Sequence, residues 1–191
     1  AGKELGIGNS KLEKILEHLQ QTYCQSIGVE YYYIRKPEIT EWLKLKMESV
    51  RNTADFTPSV KKKILEKLAE GVLFEKYIHK KFPGQKRFSL EGAESLIPAM
   101  EEIIQTGATS GLKEIVFGMA HRGRINVLGN IMQKPFHQIF SEFEGKEYAD
   151  QELLGDVKYH LGYSTERSAP GNGSVRITLA PNPSHLEAVD P

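Results

Sequence analysis

Apolar residues recur at helical spacing from the start of the chain: Leu12, Ile15, Leu16, Leu19 and Tyr23 fall three or four positions apart, which lines them up along one side of a helix. Ser10 and Glu13 stand ahead of that run in the capping-box arrangement that starts a helix, and Gly28 marks where it ends. A second helix is expected to carry Trp42, Leu43, Met47 and Val50. The third begins at Thr57-Pro58, an N-cap residue followed by proline at the first helical position. It shows Val60, Ile64, Leu68 and Val72 on one stripe, with Lys61-Lys62-Lys63 on the solvated side. Between the first two helices, Tyr31-Tyr32-Tyr33-Ile34 has no helical cap and closes at Pro37. It reads as an extended or turn segment whose rings fill a core. Pro83-Gly84 ends this helical region, and the sequence divides there into residues 1–84 and 85–191.

Beyond that point the pattern changes. Residues 94–105 are apolar at Leu96, Ile97, Met100, Ile103 and Ile104, a helix with Pro98 near its first turn or at a kink. Gly107 to Gly111 is a loop. Glu114-Ile115-Val116-Phe117 then reads as a buried strand running into Gly118-Met119, and residues 125–131 as a helix. Lys134-Pro135-Phe136 opens another short helix containing Ile139, Phe140 and Phe143. Residues 157–160 and 174–180 read as strands, with Gly171-Asn172-Gly173 as the turn between them. Strands alternating with helices imply an α/β sheet, so the fold class is α/β.

Composition narrows the function classes. A chain of 191 residues can bury one core, or one core and a helical appendage. Lysines and arginines number 25, as do aspartates and glutamates, and they are interspersed. The field that non-specific nucleic-acid binding needs is therefore missing. Cys24 is the single cysteine, so no disulfide framework or thiolate metal site can form within the chain, and a reducing compartment fits best. No apolar run approaches the roughly 20 residues that span a bilayer. Neither nucleic acid nor membrane is an expected partner.

The chemistry concentrates at Gly118-Met119-Ala120-His121-Arg122-Gly123-Arg124, between the strand and the helix that follows it. In a parallel α/β sheet, loops and helix N-termini converge outside the carboxyl end of a strand, which is where ligands bind. His121 on its own equally suits a hydrogen-bonded structural histidine. Its place at a strand-to-helix corner beside two arginines favours function. Arg122 could be an ordinary surface ion-pair partner, or a fork of donors for a phosphate or carboxylate. Arg124 reads as structural. Two further segments carry histidines, Gly155-Asp156-Val157-Lys158-Tyr159-His160-Leu161-Gly162 and Asn182-Pro183-Ser184-His185-Leu186-Glu187; the second also has the Ser-x-x-Glu form of a capped helix start.

Taken in order, these three segments resemble the E1 component of the 2-oxoglutarate dehydrogenase complex, a thiamine-diphosphate enzyme. The likeness extends from Lys14-Ile-Leu-Glu-His-Leu-Gln-Gln-Thr-Tyr-Cys24 through Arg87-Phe-Ser-Leu-Glu-Gly92 to the last residue. It implies that residues 85–191 are the first, incomplete part of a thiamine-diphosphate-binding α/β domain with a mainly parallel sheet, behind a helical N-terminal region. It further implies that His121 and His160 are the active-site histidines, that Ser164 adds a polar substrate contact, and that Arg122, Ser184 and Leu186 touch the cofactor. The parent enzyme would decarboxylate 2-oxoglutarate and pass the succinyl group to the lipoyl domain of its dihydrolipoyl succinyltransferase partner, E2, in the tricarboxylic acid cycle, working as a homodimer.

Other expectations follow from the resemblance. Magnesium would anchor the cofactor through a Gly-Asp-Gly motif and a downstream asparagine, oxygen ligands suited to a hard cation. No such pair follows residue 118, so the metal ligands are expected outside this sequence, which reads as an internal fragment, inactive and without appreciable cofactor affinity by itself. A 2-oxoadipate dehydrogenase E1 is the alternative within the family, and Asp156-Val157-Lys158-Tyr159-His160 favours oxoglutarate. A non-catalytic docking or folding module is the alternative outside it. Ala120 ahead of His121 resembles bacterial members, which implies a cytoplasmic protein, or a mitochondrial-matrix one if the source is eukaryotic.

Overall fold

In the computed structural model, which describes residues 5–144, 160, 162–169 and 173–181, helices lead and a small sheet follows. The chain divides into two compact units, residues 1–57 and 58–191. The third helix, which the sequence groups with residues 1–84, lies in the second unit.

The first unit is a helix pair, α1 (Leu12–Tyr23) and α2 (Pro37–Val50). Proline opens α2, where its missing N–H costs nothing. Helix α1 starts one residue later than the capping box suggests. Lys11 occupies the cap without a side-chain bond, and Ser10 Oγ donates instead to the Ile7 carbonyl at 2.8 Å. The two helices are tied by polar contacts: His18 Nε2 meets the Glu48 carbonyl at 2.8 Å, Asn52 Nδ2 donates to the Thr22 carbonyl at 3.2 Å, and Tyr23 Oη donates to Glu48 Oε1 at 2.6 Å. Consequently His18, Thr22 and Met47 are the buried positions, while Leu12, Leu16 and Trp42 are more than half exposed. The tyrosine run forms a turn. Tyr31 is buried, but Tyr32 and Tyr33 face solvent, so only one of the three rings fills a core.

The second unit is built on α3 (Pro58–Lys81), whose C-terminal half turns Gly71, Phe74, Glu75 and Ile78 inward at helical spacing. Lys61, Lys62 and Lys63 are exposed, as expected. Helix α4 (Leu96–Thr109) places Pro98 in its first turn and buries Ile97, Met100 and Ile104. Strand β1 (Glu114–Phe117) leads to α5 (Arg124–Asn126), which widens at once into a π-helical turn over Val127–Ile131, with Met132 N donating to Val127 O at 2.9 Å. Helix α6 is Phe136–Phe143, and β2 (Tyr163–Ala169) and β3 (Gly173–Leu179) complete the sheet.

The sheet order is β1-β3-β2, with β1 parallel and β2 antiparallel to β3. Helices and a small mixed sheet make this an α/β fold. A mainly parallel sheet is not what forms among the described residues, because β2 and β3 pair as neighbours along the chain, Ala169 opposite Gly173, and so close connection permits only antiparallel pairing. Of the strand expected at residues 157–160, residues 157–159 lie outside the described residues; His160 sits in a turn, and β2 begins at Tyr163. Nor is β1 a fully buried strand. It is at an edge of the three and alternates, with Ile115 and Phe117 half-buried and Val116 63% exposed. Ile97 and Ile104 of α4, Val127 and Ile131 of the π turn, and Ile177 and Leu179 of β3 are fully buried at the centre of the core.

Candidate active site

Register decides which loops share an end of the sheet. Phe117, the last residue of β1, lies opposite Leu179, the last of β3, and Tyr163, the first of β2, lies opposite Leu179 from the other side. The loop after β1, the chain before β2 and the chain after β3 therefore emerge together, at the carboxyl ends of the parallel pair. That is where α/β sheets bind ligands. His121 and Arg122 occupy the first loop, His160 and Ser164 flank the start of β2, and Ala180-Pro181 leads toward Ser184 and Leu186. The last two lie outside the described residues.

Arg124 fastens these ends. Fully buried, it donates from Nη1 to the Met119 carbonyl at 3.1 Å and from Nη2 to the Ala180 carbonyl, joining the exits of β1 and β3; Ala180 N also donates to Phe117 O at 2.9 Å. The second arginine of the motif is thus structural, as its sequence position implied. Arg122 is exposed, with Nη1 3.3 Å from the Ser89 carbonyl. Among the described residues that carbonyl is its hydrogen-bond partner, and the guanidinium has further donors to offer an anion.

His121 is half-buried and its ring packs on Phe88, centroids 4.0 Å apart at 47°. Lys86 Nζ lies 5.3 Å from the centroid of the same phenyl ring. His121 Nδ1 is buried without a partner among the described residues. A buried ring nitrogen left unpaired costs about 1–3 kcal/mol, so this atom calls for a ligand or a further residue to complete it. Ser164 is exposed at the head of β2, donating to Thr178 Oγ1 at 3.1 Å across the β2–β3 pair.

The motif's glycine has a steric role. Gly123 has φ of 75°, and a Cβ there would lie 2.5 Å from Leu90 Cδ1. The loops 87–90 and 118–123 are in contact through that packing and through Gly123 N, which donates to Phe88 O at 2.8 Å. Sequence reasoning treated residues 87–92 only as part of a resemblance and missed Phe88 as the surface under His121. It also missed Glu75 and Asn126, through which α3 is bonded to the loop 87–90 and to α5. An isolated glutamate in a helix full of lysines and glutamates carries no local signal of burial.

The chain is 49% identical over 189 residues, 98% of its length, to the 2-oxoglutarate dehydrogenase E1 component of Brucella anthropi, and to those of Brucella canis and Brucella suis at the same level. Its sequence is homologous to a segment of 2-oxoglutarate dehydrogenase E1. The chain spans 19% of the length of these E1 relatives. No family model matches it. Among the described residues, no cluster of three histidine, cysteine, aspartate or glutamate side chains could hold a metal ion, and no helix is long and apolar enough to cross a membrane.

Proposed function

We propose that this chain is part of a 2-oxoglutarate dehydrogenase E1 subunit and supplies the substrate-side wall, and part of the cofactor-side wall, of its active site. The observation that supports the reading is that the segments bearing His121, His160 and Ser164 meet the same end of the sheet, and that the buried Nδ1 of His121 has no partner among the described residues. Oxoglutarate differs from the simplest 2-oxo acids by a distal carboxylate, and two imidazoles with a hydroxyl are a donor set for it. His121 and His160 donate to that distal carboxylate, and Ser164 adds a further polar contact. Thiamine diphosphate, when bound, supplies the electron sink that decarboxylation of a 2-oxo acid demands and no side chain offers.

Arg122, exposed beside the start of α5, would meet the cofactor's diphosphate, and Ser184 and Leu186 would contact its rings. The magnesium that anchors the diphosphate would be ligated by other parts of the subunit. The succinyl group leaves on the lipoyl arm of E2, and the subunit works as a cytoplasmic homodimer.

The test uses the full-length subunit that contains this segment. Replacing His121 or His160 with leucine removes a charge-assisted hydrogen bond worth about 1.5–3 kcal/mol from a substrate with a distal carboxylate. The ratio of kcat/KM for 2-oxoglutarate to that for 2-oxobutyrate, which lacks this carboxylate, should fall by roughly tenfold to a hundredfold. Equal losses for both substrates would refute the assignment.

A further inference from the structure

Glu75 is 4% exposed on the inner face of α3, an unusual place for a carboxylate, and it is fully engaged. Its Oε1 accepts from Leu90 N at 3.1 Å and from Asn126 Nδ2 at 3.1 Å, and its Oε2 lies 3.4 Å from Arg87 Nε. Asn126 donates in addition to the Gly71 carbonyl at 3.0 Å and accepts from Asn130 Nδ2 at 2.7 Å, so its amide is fixed in turn. One carboxylate therefore grips the loop 87–90 at both ends and, through Asn126, the helix that begins just after His121-Arg122-Gly123.

What that loop does explains why it is gripped. Phe88, at φ of 47°, is held in a left-handed conformation that a phenylalanine adopts only under constraint. It presents its ring to His121 and its carbonyl to Gly123 N, while Ser89 presents its carbonyl to Arg122. A carboxylate is expensive to bury, and replacing a whole buried polar cluster with apolar side chains of similar volume is often neutral or stabilising. Holding a strained loop in register against a functional histidine is a reason to keep one.

We propose that Glu75 is a positioning residue for His121, acting through the 87–90 backbone and the Phe88 ring. This rests on the functional reading above for its consequence in catalysis, but the positioning itself is testable without activity.

The imidazole C–H protons of His121 lie close to the Phe88 ring, whose ring current displaces their NMR resonances. In this chain, with the resonances assigned by His121→Gln, Phe88→Leu should abolish the displacement and so calibrate it. Glu75→Ala should reduce it by at least half. Glu75→Gln, which retains an oxygen for Leu90 N and Asn126, should preserve most of it. Should Glu75→Ala fail to fold, Glu75→Asp keeps the charge, withdraws the oxygens by one methylene, and should lower the displacement in the same direction. In the full-length subunit, Glu75→Ala or Glu75→Asp should lower the 2-oxoglutarate to 2-oxobutyrate preference by up to roughly tenfold, since small misplacements cost such factors, with Glu75→Gln restoring it. An unchanged His121 displacement in a folded Glu75→Ala or Glu75→Asp chain overturns the proposal. A lost displacement with the same fall in kcat/KM for both substrates supports the positioning and counts against the substrate role of His121 instead.

Discussion

Gly123 is the position at which a single added methyl tests the packing under the site. At φ of 75°, alanine incurs about 1–2 kcal/mol of backbone strain from its Cβ. The same Cβ would stand 2.5 Å from Leu90 Cδ1 and 3.4 Å from Leu90 Cβ, in a place where Leu90 is 2% exposed and cannot swing into water. Overpacking of that kind costs about 1–3 kcal/mol, so Gly123→Ala should destabilise the chain by roughly 2–5 kcal/mol in all. Urea unfolding should show it as a midpoint about 1–2.5 M lower, with an m-value near 2 kcal/mol/M and unchanged. The two contributions are separable: in a Leu90→Ala background the overlap is gone, and the added cost of Gly123→Ala should drop to about the 1–2 kcal/mol of backbone strain. A loss below about 1 kcal/mol in the natural background would refute the reasoning. So would an identical loss in both backgrounds, because Leu90 would then not be the obstacle.

Gly71 should behave oppositely: a Cβ there meets Ile97 Cγ1 at 3.4 Å and nothing nearer, so Gly71→Ala should gain about 0.5–1 kcal/mol from helix propensity, read as a higher urea midpoint. Arg167 is 7% exposed, donates from Nη2 to both oxygens of Glu101 at 2.8 and 2.9 Å and from Nη1 to the Ile131 carbonyl at 2.6 Å. Arg167→Ala strands the carboxylate and should cost about 3–5 kcal/mol, with the double variant Arg167→Leu, Glu101→Leu recovering much of it in the same assay. Partial burial, and then the Glu48 carboxylate to which it donates, hold the Tyr23 phenol above its ordinary 10.0. Its contribution to the helix pair is complete below pH 10 and is lost as pH rises toward the raised folded value, because only the unfolded chain ionises it readily. Helix content followed from pH 9 upward should therefore fall less steeply in Tyr23→Phe than in the natural chain; identical curves would show that the contact does not bias the phenol.

Much of the fold was legible because its signals are local. The helix start at Pro58, the apolar spacing of α4 and the strand before the glycine of residue 118 depend on a few consecutive residues, and each of these formed within a few positions of where the pattern placed it. The misreadings have a common cause. Leu12, Leu16 and Trp42 sit at helical spacing, yet α1 and α2 meet through His18, Thr22 and Asn52, and period alone does not say which side of a helix finds a partner. β1 carries an unbroken apolar run and still lies at an edge with Val116 exposed, since burial depends on what covers the far face. Among the described residues the sheet direction departs from the expected one because only three residues separate β2 from β3, a connection that permits antiparallel pairing alone.

The site shows the same division at finer scale, and it bears on how the His-Arg-Gly-Arg motif should be read. Its four residues do four different things. His121 packs at a tilt on Phe88, Arg122 faces solvent, Gly123 makes room for Leu90, and Arg124 is buried beneath, clasping the exits of two strands. Two of the four positions therefore belong to the architecture. A substitution at Arg124 or Gly123 that abolished activity would say little about chemistry, because either one moves the loop that carries His121. What separates the cases is selectivity: a residue that contacts the distal carboxylate changes the preference between a dicarboxylic and a monocarboxylic 2-oxo acid, whereas loss of folded enzyme lowers both rates together. Glu75 lies between these classes. It is more than forty residues from the motif in sequence and invisible to any local pattern, yet it bonds to both segments that frame His121, so its variants should shift the preference without touching substrate.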